Sequence, residues 1–254
     1  MNLAQTILQS FEVKKTLNPH IWTINNEGNY VLRSEVRDKL LIISNNFLEF
    51  VDIDNIDCDI TTQECTIEDI TITGSICNFN WSKYSDIDLH LLVDFDEIDE
   101  NEDLVNNILT TKKNLWNASH DIQIKGYDVE VYVQNSDEVH FSSGVYSVLF
   151  NKWIRAPKAG DPAVDIDKVI DKAQGWMELI DALQSRAYQM SGEEILEIIE
   201  KIKDKLKKFR SCGLEKGGEF SYENLAFKFL RRSGYIKKLF DLKNKVMDLS
   251  LSMD

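Results

Sequence analysis

Two aspartates, Asp86 and Asp88, stand i and i+2 at the head of an apolar run that continues Leu89-His90-Leu91-Leu92-Val93. On a strand that spacing puts both carboxylates on one face and Ile87, Leu89, Leu91 and Val93 on the other. Carboxylates so close together repel, and a cation or a raised pKa must relieve them. Mg²⁺ suits that need, because it takes one or two carboxylates and completes its shell with substrate phosphate oxygens. Mn²⁺ would accept the same ligands. Upstream, Gly74-Ser75 closes the β-branched alternation Ile70-Thr71-Ile72-Thr73. Glycine there permits a tight turn and close approach to a ligand. Ser75 would open a short helix over 75–81, whose first N–H groups and hydroxyl can hold phosphate oxygens. Lys83 lies between loop and aspartates and can reach a phosphate, or is simply a solvated loop lysine. A third carboxylate lies in Asp128-Val129-Glu130-Val131-Tyr132-Val133, where Asp128 and Glu130 share a face. Together these groups would serve an in-line displacement at phosphorus.

The elements that position them follow from hydrophobic period and turn residues. Residues 1–16 have helical spacing, ended by Leu17-Asn18-Pro19. After the Asn25–Asn29 turn, Ser34 can cap a long amphipathic helix carrying Val36, Leu40, Leu41, Ile43, Phe47, Leu48 and Phe50. The Asp-rich stretch Val51–Glu64 reads as a connection. Strands are expected at Ile67–Thr73 and Ser85–Phe95, then a helix over about Leu104–Asn117. Ile122–Lys125 and Asp128–Gln134 read as two strands, or one strand bulged at Gly126. Gly144–Ile154 reads as a helix, with Tyr146 and Trp153 on one stripe at i and i+7; Ser142-Ser143-Gly144 before it reads as its cap, or else touches nucleotide. From Val164 onward the pattern is helical, interrupted at Gly213, Gly217-Gly218 and Gly234. The composition shift at 155–163 sets the boundary between a domain over 1–160 and a helical domain over 161–254. The fold class is therefore α/β (α+β): a small mixed sheet of three to five strands flanked by helices, then a C-terminal helical bundle.

The chain of 254 residues carries a net charge of −14. That charge is uneven: residues 1–150 hold 9 basic and 26 acidic side chains, whereas 201–245 hold 14 basic and 5 acidic. An acidic body argues against non-specific binding to long nucleic acid. The basic segment, with Arg231-Arg232 and Lys237-Lys238, either meets a phosphate-bearing ligand or is a solvated face. Cys58, Cys65, Cys77 and Cys212 lack the spacing of a zinc site or a disulfide framework, which favours a reducing cytoplasm. No stretch is long and apolar enough to suggest a membrane partner, and no secretory signal is visible at the N-terminus. The Asp-rich patches at 52–59 and 94–103 lack the spacing of a calcium loop.

Gly74-Ser75, ten further residues and then Asp86-Ile87-Asp88-Leu89 resemble the signature of the DNA polymerase β-type nucleotidyltransferase superfamily. More narrowly, Leu17–Trp22, Val36-Arg37, Tyr84–His90 and Val129–Gln134 look like stand-alone nucleotidyltransferases of large bacteriophages, over roughly residues 15–160. The resemblance implies that Asp86 and Asp88 bind metal and that Gly74 and Ser75 hold a triphosphate. It also implies that a carboxylate at a strand centre completes the set, which favours the valine-flanked Glu130 and leaves Asp128 as the alternative. The implied reaction moves a nucleoside monophosphate from an NTP to an acceptor hydroxyl or phosphate. A small molecule or nucleotide, an RNA 3′ end, or a protein side chain modified as in toxin–antitoxin pairs are the acceptors it leaves open. From another class, the fold could serve as an NTP sensor without turnover. His90, on the aspartate face, is either an orienting partner or a packed histidine; Tyr132, beside Glu130, is either a base platform or packing.

Overall fold

The computed structural model describes residues 3–51, 67–138, 142–159 and 164–253. The connection expected over Val51–Glu64 thus falls outside the described residues, apart from Val51. In chain order the elements begin with α1 (Leu3–Gln9), β1 (Trp22–Ile24), β2 (Tyr30–Leu32) and α2 (Ser34–Val51). Next come β3 (Ile67–Thr73), β4 (Ile87–Val93), α3 (Glu102–Ser119), β5 (Gln123–Ile124), β6 (Tyr127–Asn135), β7 (Val145–Ser147) and β8 (Lys152–Arg155). The last are α4 (Ile166–Arg186), α5 (Gly192–Gly217), α6 (Tyr222–Arg232) and α7 (Tyr235–Leu251). The fold is a mixed α+β architecture with a helical C-terminal part. Residues Val13–Gly160 form one compact unit, and Met1–Glu12 with Asp161–Asp254 form the other. Helix α1 therefore belongs with the C-terminal helices, and not with the sheet where the sequence grouped it. Among the described residues no helix is long and apolar enough to cross a membrane.

In the first unit a six-stranded sheet runs in the order β5-β6-β4-β3-β7-β8. Strands β4 and β6 are parallel, and every other neighbouring pair is antiparallel. The parallel pair requires a crossover, which α3 supplies. Ile87, Leu89, Leu91 and Val93 are fully buried and join Val36, Leu40, Phe47, Leu109 and Val131 in one core. Asn117 of α3 bonds both backbone groups of Val131, at 2.9 and 3.0 Å. It thereby covers the edge of β6 beyond its short pairing with β5. β5 and β6 are two strands joined by a tight turn at Lys125-Gly126, both at positive φ.

The helix expected over Gly144–Ile154 does not form. The segment is the hairpin β7–β8, which raises the sheet from the expected three to five strands to six. Tyr146 and Trp153 are not stacked along a helix; they are cross-strand partners with ring centroids 4.9 Å apart. A spacing of seven fits a helical stripe and a short hairpin equally well, and the β-branched and aromatic residues around it decide for strands. Residues 22–24 and 30–32 form a second, two-stranded ribbon that periodicity did not mark.

Arg37 ties α2 to the turn after β7, donating from Nε to the Val148 carbonyl and from Nη2 to that of Leu149, each at 2.8 Å. Both are charge-assisted bonds. Arg37→Met should lower unfolding stability by about 2–3 kcal/mol in urea denaturation.

The helical unit is well capped. Asp165 accepts from the Lys168 N–H at 3.3 Å, and Ser191 and Glu194 form a capping box at the start of α5. Gly213 does not end α5 as expected. It lies inside the helix, where a Cβ would stand 2.5 Å from Cβ of Glu223, so it marks the close approach of α6. On α6, burial and the neighbouring Arg232, Arg210 and Arg231 lower the Lys228 ammonium to about 8, against the opposing pull of Glu219. The unfolded chain then binds this proton more tightly than the folded one, so stability rises with pH between about 8 and 10.5. Relative to Lys228→Met, the wild type should gain about 2–3 kcal/mol as the pH is raised across that window, read by urea denaturation at each pH.

Candidate active site

The site is built on the sheet face opposite the core. Asp88 of β4 pairs in register with Glu130 of β6 on one side and Thr73 of β3 on the other. One rank along, His90 stands between Thr71 and Tyr132 in the same way. Directly paired residues of neighbouring strands share a face, and the strands lie roughly 4.8 Å apart. Asp88 and Glu130 are thus like charges held side by side, an arrangement that costs stability. Asp86 lies one residue before β4 begins, at the end of the strand, which is shorter than the expected 85–95. Asp128 is exposed on β6 and accepts from Nε2 of Gln123 across the hairpin at 2.7 Å. Of the two candidates for third carboxylate, Glu130 is the one paired with Asp88, and Asp128 lies two residues earlier on the same strand.

Gly74 closes the site at the end of β3. Its backbone is at φ 81 and ψ −162, a region essentially reserved for glycine. Its missing side chain also matters. A Cβ there would collide with Oδ2 of Asp88 and sit 3.6 Å from its Cγ. The loop and the metal-binding candidate therefore form one packed piece. The Ser75 hydroxyl shares a 2.8 Å hydrogen bond with that of Ser85, and Ser85 Oγ accepts from the Ser82 N–H at 3.0 Å. This laces the Gly-Ser loop to the segment that delivers Asp86.

The helix expected over 75–81 is a single 3-10 turn, Ser75–Cys77. It stops because Asn78 is extended, at φ −141, and turns its side chain to the backbone N–H of Phe79 and to Ser143. Short polar side chains that bond locally compete with helical pairing in this way. A three-residue turn offers no helix terminus for phosphate, so loop geometry is what remains of that expectation. Lys83 is exposed and its ammonium lies 5.0 Å from the Tyr84 ring centre.

Ser142 and Ser143, expected to cap a helix, instead support the loop. The Gly74 N–H donates to Ser142 Oγ at 3.3 Å, and Asn78 Nδ2 donates to Ser143 Oγ. Gly144 fits against the Cys77 carbonyl so closely that a Cβ would collide with its oxygen. From the other side, Trp22 donates its indole N–H to the Ile76 carbonyl at 2.8 Å, with its ring stacked on Trp153 at 4.7 Å. Nothing in the spacing of these residues announced such contacts; the serine pair before a glycine was the single local sign.

His90 bonds Thr73 through Nε2 at 3.2 Å and stacks on Tyr132, with ring centroids 5.0 Å apart and planes 16° from parallel. The Tyr132 hydroxyl donates to Glu130 Oε2. Burial, that hydrogen bond, and the charges of Asp88, Glu130 and Asp86 push the phenol well above its ordinary range. It stays protonated and acts as a donor.

Among the described residues no group of three or more His, Cys, Asp or Glu side chains is arranged to hold a metal by itself. Mg²⁺ needs only one or two protein carboxylates when phosphate oxygens complete its shell. Asp88 and Asp86, with Glu130 beside them, would hold it.

Arg232, Lys237 and Lys238 of the helical unit have local partners. Arg232 donates to Ser10 Oγ at 2.6 Å and lies over Phe11, Lys237 pairs with Asp241 at 2.6 Å, and Lys238 pairs with Asp181. The described cysteines, Cys77 and Cys212, form no disulfide. The chain matches no protein-family model, and comparison with curated proteins and with solved structures returned no match.

Proposed function

We propose that this protein is a Mg²⁺-dependent nucleotidyltransferase that moves a nucleoside monophosphate from an NTP to an acceptor hydroxyl or phosphate and releases pyrophosphate. The observation that carries the reading is the rank Thr73–Asp88–Glu130, with Gly74 packed against the Asp88 carboxylate. Two like charges in register have no structural use, since they weaken the sheet that holds them. They gain one when a cation and a polyphosphate lie over them.

In this reading the Gly74-Ser75 loop receives the triphosphate, and Asp88 and Asp86 bind the metal that arrives with it. Bound Mg²⁺ would neutralise negative charge on the phosphate oxygens. Glu130 stands next to Asp88 to ligate or to take the acceptor proton. The acidic sheet unit favours a small-molecule or nucleotide acceptor; RNA would have to be met by the basic 201–245 segment. The test incubates the full chain with each labelled NTP, Mg²⁺ and acceptors of three kinds: small hydroxyl compounds and nucleotides, RNA 3′ ends, and proteins. Pyrophosphate release with label transferred to one class establishes both reaction and acceptor. RNA as acceptor would show a steep loss with salt. Nucleotide bound but unchanged after long incubation sinks the transferase reading and leaves an NTP sensor.

A further inference from the structure

Glu130 is exposed at a site that demands a fixed carboxylate, and a glutamate has three side-chain torsions to immobilise. The structure supplies the restraint from two residues along the same strand. Tyr132 shares the Glu130 face and donates its hydroxyl to Oε2. The phenol ring is itself held. His90 stacks on it at 5.0 Å, and the ammonium of Lys113, from α3, lies 4.8 Å from its centre. His90 in turn bonds Thr73, the last residue before the Gly-Ser loop. A path of contacts therefore runs from Thr73 through His90 and Tyr132 to Glu130, across three neighbouring strands. It spans both ranks of the site face.

We infer that Tyr132 is a positioning residue that sets the Glu130 carboxylate beside Asp88, with His90 and Lys113 fixing the ring that does so. This rests on the nucleotidyltransferase reading for its purpose, though not for its geometry. The hydroxyl occupies one carboxylate oxygen, Oε2, so the second oxygen is the one presented to a ligand. A residue that merely filled space would have no reason to bring a hydroxyl there.

Tyr132→Phe removes the hydroxyl and keeps the stacked ring. In the full chain, Mn²⁺ titrated in the presence of a non-hydrolysable NTP analogue, followed by the electron-spin signal of free Mn²⁺, should bind roughly tenfold more weakly in this variant. The same substitution made in Glu130→Ala should change nothing further, because the two residues act as a unit. In turnover, kcat should fall by a similar factor while KM for the NTP stays within about twofold. Equal Mn²⁺ binding in wild type and Tyr132→Phe overturns the inference, as does an undiminished loss in the Glu130→Ala background. A wild type that takes up no Mn²⁺ overturns it too. A wild type that binds Mn²⁺, loses affinity on Tyr132→Phe and yet releases no pyrophosphate sinks the proposed reaction and keeps the positioning role.

Discussion

Asp88→Asn should abolish turnover while leaving the protein at least as stable as the wild type. Pyrophosphate release should fall roughly a thousandfold, the scale on which removing one charge-stabilising group from a reacting centre is felt. Asparagine keeps the shape that fits against Gly74 and removes the negative charge that faces Glu130 in register. Relief of that repulsion should return about 0.2–1 kcal/mol to the sheet. Activity and stability thus move in opposite directions, which a structural residue would not do. Asp86→Asn should lose activity likewise, with a smaller change in stability, because Asp86 lies outside the strand pairing. Phosphate detection after added pyrophosphatase measures the first quantity and urea denaturation the second. Wild-type release by both variants would remove the two aspartates from the chemistry.

Gly74→Ala carries the second large effect, and here activity and stability should fall together. The backbone conformation at Gly74 costs a residue with a Cβ about 1–3 kcal/mol. The new methyl group also meets Oδ2 of Asp88, so either the carboxylate or the loop must move. A total loss of about 2–4 kcal/mol is expected in urea denaturation. Displacing Asp88 should lower turnover roughly a hundredfold. Gly126→Ala is the control. It too has a positive φ, but a Cβ there has no neighbour within 4 Å. That variant should lose about 1 kcal/mol and keep its activity. Equal activity of Gly74→Ala and Gly126→Ala would show that the loop does not govern Asp88.

Strand β3 and the central part of β4 were legible because their residues alternate cleanly between β-branched or apolar and polar side chains. The long helix was legible from its apolar stripe, although Ser34, expected as its cap, is its first helical residue, with the Arg37 N–H already bonded to the Arg33 carbonyl. The hairpin β7–β8 was not legible, since Tyr146 and Trp153 at a spacing of seven satisfy a helix as well as a four-residue reversal. The short ribbon β1–β2 was missed for a related reason: three residues are too few to show a period. Gly213 misled in the opposite direction. A glycine that reads as a stop is, in the fold, the place where one helix admits another.

For the site, residue types and spacing along the chain named Gly74, Ser75, Asp86 and Asp88 and drew attention to Glu130. Those are local facts: a carboxylate pair on one strand face needs only the period of a strand to be seen. The tertiary structure decided what no local rule could. It set the register that puts Glu130 and Thr73 on either side of Asp88, and it brought Ser142, Ser143 and Trp22 to the Gly-Ser loop from distant parts of the chain. It also turned Tyr132 from a packing residue into the hydrogen-bond donor of Glu130. Pairing between strands depends on the whole sheet, because one slip of register reverses every face.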